Sequence, residues 1–259
     1  MEAEEVLEKT YQLFGPFSTQ YKIDFKRFLV SLKILSLLGD IKGKKVLDVG
    51  SGIGILVGTL GSLGAEAVGV DKFIFQDEKQ NFYTIPDFEK LESIWREGKI
   101  KIIKSDIVNE SLPFPDEIFD VVLSDATIEH LPDSPKNLFL EIHRVLKKEG
   151  FFLVTTPNLA NLLRRLRFFL LGRSPNWDIK DYFESGSNFK GHRREFTLGE
   201  VVKMLEWSSF VILQKSTKNV FFRLGRFFQR KNFFAQIAGT LSFPFSRTRE
   251  MIYVLAKKK

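Results

Sequence analysis

The stretch VLDVGSGIG, residues 46–54, decides the fold. Val46, Leu47 and Val49 belong to a short apolar run of strand length, KKVLDVG at Lys44–Gly50. Glycines at 50, 52 and 54 follow it, and Ile55–Leu63 then reads as a helix. Strand, glycine loop and helix in that order place a nucleotide-like ligand at the carboxyl edge of a parallel sheet. Glycine lets backbone come close to a ligand and takes positive φ freely. The helix behind it offers N–H donors with no partner inside the helix.

The spacing narrows the ligand. A dinucleotide fingerprint G-x-G-x-x-G needs glycine at 55, where the chain has Ile55. No G-K-[ST] follows, so a phosphate-cradling P-loop is excluded. Asp48 lies inside the strand, beside the loop, where a carboxylate would repel a pyrophosphate and attract amino and sulfonium cations. Asp71 ends a second strand, Glu66–Asp71, where a carboxylate can take both hydroxyls of a ribose. Asp106 ends a third, Ile100–Asp106, and with Ile107 could hold an adenine by its amino group and ring face.

Outward from this core, strands alternate with helices. Phe119–Asp125 reads as strand four, Ser134–Lys148 as an amphipathic helix, Phe151–Thr156 as strand five and Thr197–Trp207 as a helix. Phe210–Lys215 and Met251–Ala256 supply strands six and seven. Upstream, Glu2–Phe14 and Tyr21–Leu38 read as helices parted by Gly15-Pro16, and a helix is expected near Asp87–Glu97. The alternation, with near-continuous apolar strands, predicts a doubly wound α/β sheet with helices on both faces.

The chain resembles the class I, Rossmann-like S-adenosylmethionine-dependent methyltransferases of the small-molecule type. The resemblance rests on VLDVGSGIG (46–54), VGVD (68–71), SDI (105–107), FDVVLSDATIEHLPD (119–133), EIHRVLKKEGFFLVTTPN (141–158) and HRREFTLGEVVKMLE (192–206). It implies a seven-stranded sheet, mostly parallel, with strand seven antiparallel between five and six. It also implies S-adenosylmethionine contacts at Asp48, Gly50, Ser51, Gly52, Gly54, Asp71, Lys72, Asp106, Ile107, Ser124 and Asp125, with S-adenosylhomocysteine as product. The long stretch between strands two and three departs from the pattern. Residues 1–40 are expected as a helical segment over the active site, and 41–259 as the methyltransferase domain, with insertions at about 158–195 and 218–248.

Several of these residues have plainer readings. The glycines could form a tight turn only, Asp71 and Asp106 could cap or turn, and Gly58, Gly61 and Gly64 suit packing and helix ends. His143 suits surface or packing. His130, just beyond strand four, could take a proton from an acceptor, and His192 could act there or contact an anionic acceptor, capping and salt bridges being the alternative. Cysteine is absent, which excludes disulfides, thiolate metal sites and a cysteine nucleophile. With three histidines, no metal site is expected.

Charge is uneven. Residues 1–157 carry 19 Lys and Arg against 25 Asp and Glu; residues 158–259 carry 20 against 7, so the chain's +7 arises entirely in the C-terminal part. It concentrates in LANLLRRLRFFLL (159–171) and NVFFRLGRFFQRK (219–231), basic amphipathic stretches with aromatics. Phe-Phe pairs at 221–222, 227–228 and 233–234 spread around a helix and need a second surface. An acceptor lid, an anionic membrane surface met through 159–171 and 219–234, and a protein partner such as a second copy are the three readings. The acidic N-terminus lacks a signal sequence's apolar core, and the nearest candidate for a spanning helix, the uncharged Asn232–Ser246, is broken by Pro244, so a cytoplasmic protein, peripheral at most, is expected.

The implied activity is methyl transfer to O, N or C of a small-molecule or lipid-linked acceptor. A non-catalytic cofactor-binding or membrane-associated module, and an RNA or protein methyltransferase, are the alternatives. Strand four ends SDAT, without the [ND]-P-P-[YF] that would hold a flipped base, so nucleic acid is disfavoured.

Overall fold

A computed structural model describes residues 2–72, 88–172, 179–185, 189, 191–220 and 246–259. Seven strands form one sheet: β1 (Lys45–Val49), β2 (Glu66–Asp71), β3 (Lys101–Lys104), β4 (Phe119–Asp125), β5 (Leu146–Pro157), β6 (Phe210–Lys218) and β7 (Met251–Lys258). Their spatial order is β3-β2-β1-β4-β5-β7-β6. β1 to β5 run parallel, and β7 inserts antiparallel between β5 and β6. Chain direction across the sheet reverses between β1 and β4, which opens a crevice at their carboxyl ends.

Helices α1 (Glu2–Phe14), α2 (Phe25–Leu35), α3 (Ile55–Ser62) and α4 (Phe88–Glu97) cover one face. Helices α5 (Lys136–Val145) and α8 (Leu198–Trp207) cover the other. β1 shows why its run is apolar throughout: Val46 enters the first core and Leu47 the second. Two more helices, α6 (Leu162–Leu171) and α7 (Ile179–Ser185), follow β5.

Glycine sets how closely α1 sits. A Cβ on Gly58 would lie 2.7 Å from Ile100 Cδ1 and 3.2 Å from Thr10 Cγ2, so its absence lets α1 lie against α3. Gly64 takes φ +92° just past the helix, a turn role; Gly61 faces open space. Gly58→Val is expected to loosen α1 and cost about 1–3 kcal/mol of stability by overpacking, read as a lower urea midpoint.

Two stretches differ from expectation. The helix read over Tyr21–Leu38 is a 3-10 turn at Gly15–Tyr21, then α2, then a second 3-10 turn at Ser36–Leu38. The helix read over Ser134–Lys148 is shorter, because Leu146 turns extended and opens β5 by pairing with Phe119. Leu146 is buried there while Lys147 reaches Asp120 at 2.7 Å, so sheet pairing overrides the helical pattern. The stretch 221–245, with its Phe-Phe pairs, lies outside the described residues.

Candidate active site

The crevice is built from the carboxyl ends of β1, β2 and β4. The glycine loop leaves β1 with Gly50, Gly52 and Gly54 at φ +78°, +54° and +90°. The N–H groups of Gly50 and Ser51 donate to the Val70 carbonyl, at 2.9 and 3.1 Å, which ties the loop to β2. A Cβ on Gly50 would lie 2.3 Å from Thr127 Oγ1, which itself donates to the Val49 carbonyl at 3.2 Å. Gly50→Ala is therefore expected to displace loop or threonine and to weaken cofactor binding at least about 10-fold, since overpacking plus a strained positive φ costs about 2 kcal/mol or more. Titration calorimetry checks it.

Asp71 closes the loop from the next strand: the Gly52 N–H donates to its Oδ2 at 2.8 Å. Asp48 is buried under the loop, and its Oδ1 has no hydrogen-bond partner. Burial, with Asp125 and Asp71 nearby, raises its carboxyl well above the usual range, only partly opposed by Arg27. A cation brought against such a carboxyl would favour its ionised form and complete the unpartnered oxygen.

Asp106 lies beyond β3 and pairs with Lys72 at 2.5 Å. Its oxygens also accept from the Val108 N–H at 3.1 Å and Asn109 Nδ2 at 2.9 Å. Burial would raise this carboxyl, but Lys72, Asn109 and Val108 outweigh it and hold it at about 2. The turn role weighed for Asp106 is thus present, and a ligand amino group would share this carboxylate with local donors. Ile107 packs at the rim of the second core.

The β4 end is less open than the sequence implied. Ser124 is buried with its hydroxyl unpartnered, whereas Asp125 is engaged by α2. Arg27 Nε stands 2.7 Å from Asp125 Oδ1, and the Ser31 hydroxyl donates to Oδ2 at 2.7 Å. Asp24 adds a second carboxylate 3.5 Å from the guanidinium. Burial opposes the charge on Arg27, yet Asp125, Asp24 and Glu129 keep it firmly protonated. The N-terminal segment also reaches the loop: the Tyr21 hydroxyl would lie 3.3 Å from a Cβ on Gly52, and the Tyr11 hydroxyl donates to the Tyr21 carbonyl at 2.7 Å.

After β4, a 3-10 turn (Ile128–His130) carries Glu129 and His130 to the lip. The backbone N–H groups of Arg193 and Arg194 donate to the Glu129 carbonyl, at 2.8 and 3.3 Å, so residues near 192 are pinned beside it. The rings of His130 and His192 stand edge to face, 4.8 Å between centroids. Glu129 is fully buried; Oε2 accepts from the Thr156 hydroxyl at 3.0 Å, and Oε1 has no hydrogen-bond partner. Burial pushes its carboxyl up to about 7, against the lowering pull of His192, Arg27 and Thr156. His192 Nδ1 meets Glu195 Oε1 at 2.6 Å, and Arg164 of α6 pairs with the other oxygen of Glu195. His143 lies elsewhere, half-buried against the edge of Phe210, in the packing role expected.

Sequence reasoning missed Arg27, Glu129 and Glu195. Glu129 adjoins His130 in the chain and could have been found from that; Arg27 resembles any basic residue on an amphipathic helix.

Known proteins resemble the chain in sequence and in fold. Residues 47–154 match a protein family described as a methyltransferase domain. Over 203 residues the chain is 25% identical to a ubiquinone biosynthesis O-methyltransferase of Aliivibrio fischeri, covering 78% of each. The enzyme of the same name from Proteus mirabilis is 28% identical over 156 residues, 60% of this chain and 58% of its own length. Among solved structures, a chain of the complex between a Haloferax volcanii methyltransferase and its activator matches with TM-score 0.63 over 93% of both chains, at 14% identity, a likeness of fold. The chain has the class I methyltransferase fold and carries a methyltransferase domain, and it is an S-adenosylmethionine-dependent methyltransferase. It moves the methyl group of that cofactor to a small-molecule acceptor.

Proposed function

We propose that the methyl group goes to an oxygen of an apolar, lipid-linked small molecule met at an anionic membrane surface on the cytoplasmic side. The observation that carries this reading is the placement of α6. Its Arg164 holds Glu195, and through it His192 at the lip, while Phe168, Phe169, Leu170 and Leu171 on the same helix are exposed. Ile179, Tyr182 and Phe183 of α7 extend the exposed apolar residues. Seven large apolar side chains in a strongly basic part of the chain suit the interfacial zone of an anionic bilayer. Among the described residues no helix is long and apolar enough to cross one. Oxygen as the methylated atom is favoured by the O-methyltransferase names of the relatives.

In this reading Asp71 takes the ribose hydroxyls and the loop Gly50, Ser51, Gly52 and Gly54 passes beneath the cofactor. Asp106, Ile107 and Lys72 border the adenine. Asp48, Ser124 and Asp125 lie toward the amino-acid end, and residues 1–40 form the cover. The bound cofactor would supply a methyl group on a sulfonium, already a good leaving group, and the crevice residues would hold the acceptor oxygen in line with it. Alignment supplies much of the rate, since the leaving group is already good. His130 or His192 takes the hydroxyl proton.

Two measurements test it. A cation brought to Asp48 lowers its raised pKa, so cofactor binding should release protons, and affinity should climb with pH up to the pKa of the unliganded carboxyl. Calorimetry in buffers of different ionisation enthalpy reads the proton count, and zero would remove Asp48 from the cofactor site. Flotation with anionic liposomes should be lost when Phe168 and Phe169 become serine, or Arg223, Arg226 and Arg230 become glutamate. A wild-type protein that stays at the bottom at low salt contradicts the membrane part. A sedimenting dimer that the same serine variant dissolves would assign the face to a second copy.

A further inference from the structure

Two of the three histidines, far apart in sequence, meet at one point. Glu129, His130 and His192 each offer one ligand atom, all within 4.8 Å of one another. Ligand atoms about 2.0–2.2 Å from a shared cation stand roughly 3–3.5 Å apart, so the cluster must draw in by about an ångström. The exposed ring of His130 has room to supply that movement. We infer that Glu129, His130 and His192 form a binding site for one divalent transition-metal cation at the acceptor lip.

Three observations carry this. Glu129 is fully buried, yet its Oε1 has no hydrogen-bond partner, an arrangement that costs free energy unless a donor or a cation completes it. His192 is already oriented as metal-binding histidines are, with Nδ1 against the buried carboxylate of Glu195 and Nε2 on the opposite side of the ring. Glu195 is itself anchored by Arg164, so the outer shell reaches α6. Two imidazoles and a carboxylate suit zinc, manganese, iron or cobalt better than magnesium or calcium. Three protein ligands leave positions open, as in catalytic rather than structural sites. With the cation bound, His130 and His192 serve as its ligands rather than as the base: an open position at the lip would take the acceptor oxygen and favour its deprotonated form, the proton passing to water. That last role rests on the reading of the lip as the acceptor site; the binding of the cation does not.

The full chain, freed of metal by a chelator, is titrated with cobalt(II) alone while its visible d–d absorption is followed. Wild type should bind one equivalent, and zinc(II) should displace it, zinc lying above cobalt in the affinity order at mixed nitrogen and oxygen sites. Glu129→Gln and His192→Ala should abolish the bands. Glu195→Gln, which removes only an outer-shell partner, should weaken cobalt binding about 10–100-fold. Circular dichroism verifies that each variant folds, and S-adenosylmethionine calorimetry on the same samples tests the cofactor site separately. Absence of bands from a folded, cofactor-binding wild type overturns the cation site and leaves the methyltransferase reading intact. Bands that persist unchanged in both ligand variants overturn the assignment to these residues.

Discussion

Asp71→Ala should raise the dissociation constant for S-adenosylmethionine by about 100-fold, because the role proposed for this carboxylate is to take both ribose hydroxyls in charge-assisted hydrogen bonds worth roughly 1.5 kcal/mol or more each. The carboxylate stands at the β2 end, already holding the Gly52 N–H at 2.8 Å, so it also fixes the loop over which the cofactor lies. Stability should change far less than affinity, since Asp71 is half-buried and water can reach the vacated N–H. Calorimetric binding within a few-fold of wild type would remove Asp71 from the site.

Arg27→Met destabilises the fold by about 3–5 kcal/mol, the usual cost of stranding buried charges by deleting one partner. Arg27 sits between Asp24 and Asp125 with little of its side chain exposed. The double variant Arg27→Met with Asp125→Asn should recover part of the loss, because one stranded charge is removed as well. Urea unfolding of the three proteins reads this directly. A loss under about 1 kcal/mol for the single variant would mean that the pair is hydrated and exchanges like a surface salt bridge.

The frame was legible because it rests on local pattern. Apolar runs such as Val46–Val49 can serve a strand covered on both faces, and Gly50, Gly52 and Gly54 take the positive φ values that their spacing implied. The antiparallel β7 came from family resemblance, not from periodicity, and its register with β5 and β6 agrees with it. Boundaries failed where tertiary pairing competes with helix propensity, as at Leu146, whose burial against β4 outweighs an unbroken amphipathic pattern.

The polar centre was only half legible. Asp48, Asp71 and Asp106 announce themselves by lying within or just past the carboxyl ends of apolar strands, so their positions at one edge were deducible. Their present partners were not: Asp106 is engaged by Lys72 and its own turn, and Asp125 by a helix 94 residues away through Ser31. Counting histidines argued against a metal site, but residues 130 and 192 meet because the backbone after Gly191 hydrogen-bonds to Glu129, a contact with no sequence signature. Basic charge after residue 157 pointed to the acceptor side, and α6 now ties part of that charge to the lip through Arg164 and Glu195.

The most direct test incubates the purified protein with methyl-labelled S-adenosylmethionine and a total cell extract, then separates lipid-soluble molecules, protein and RNA. The account expects label in a lipid-soluble small molecule as a methyl ether on oxygen. Label confined to protein or RNA, or to a water-soluble amine, would contradict it.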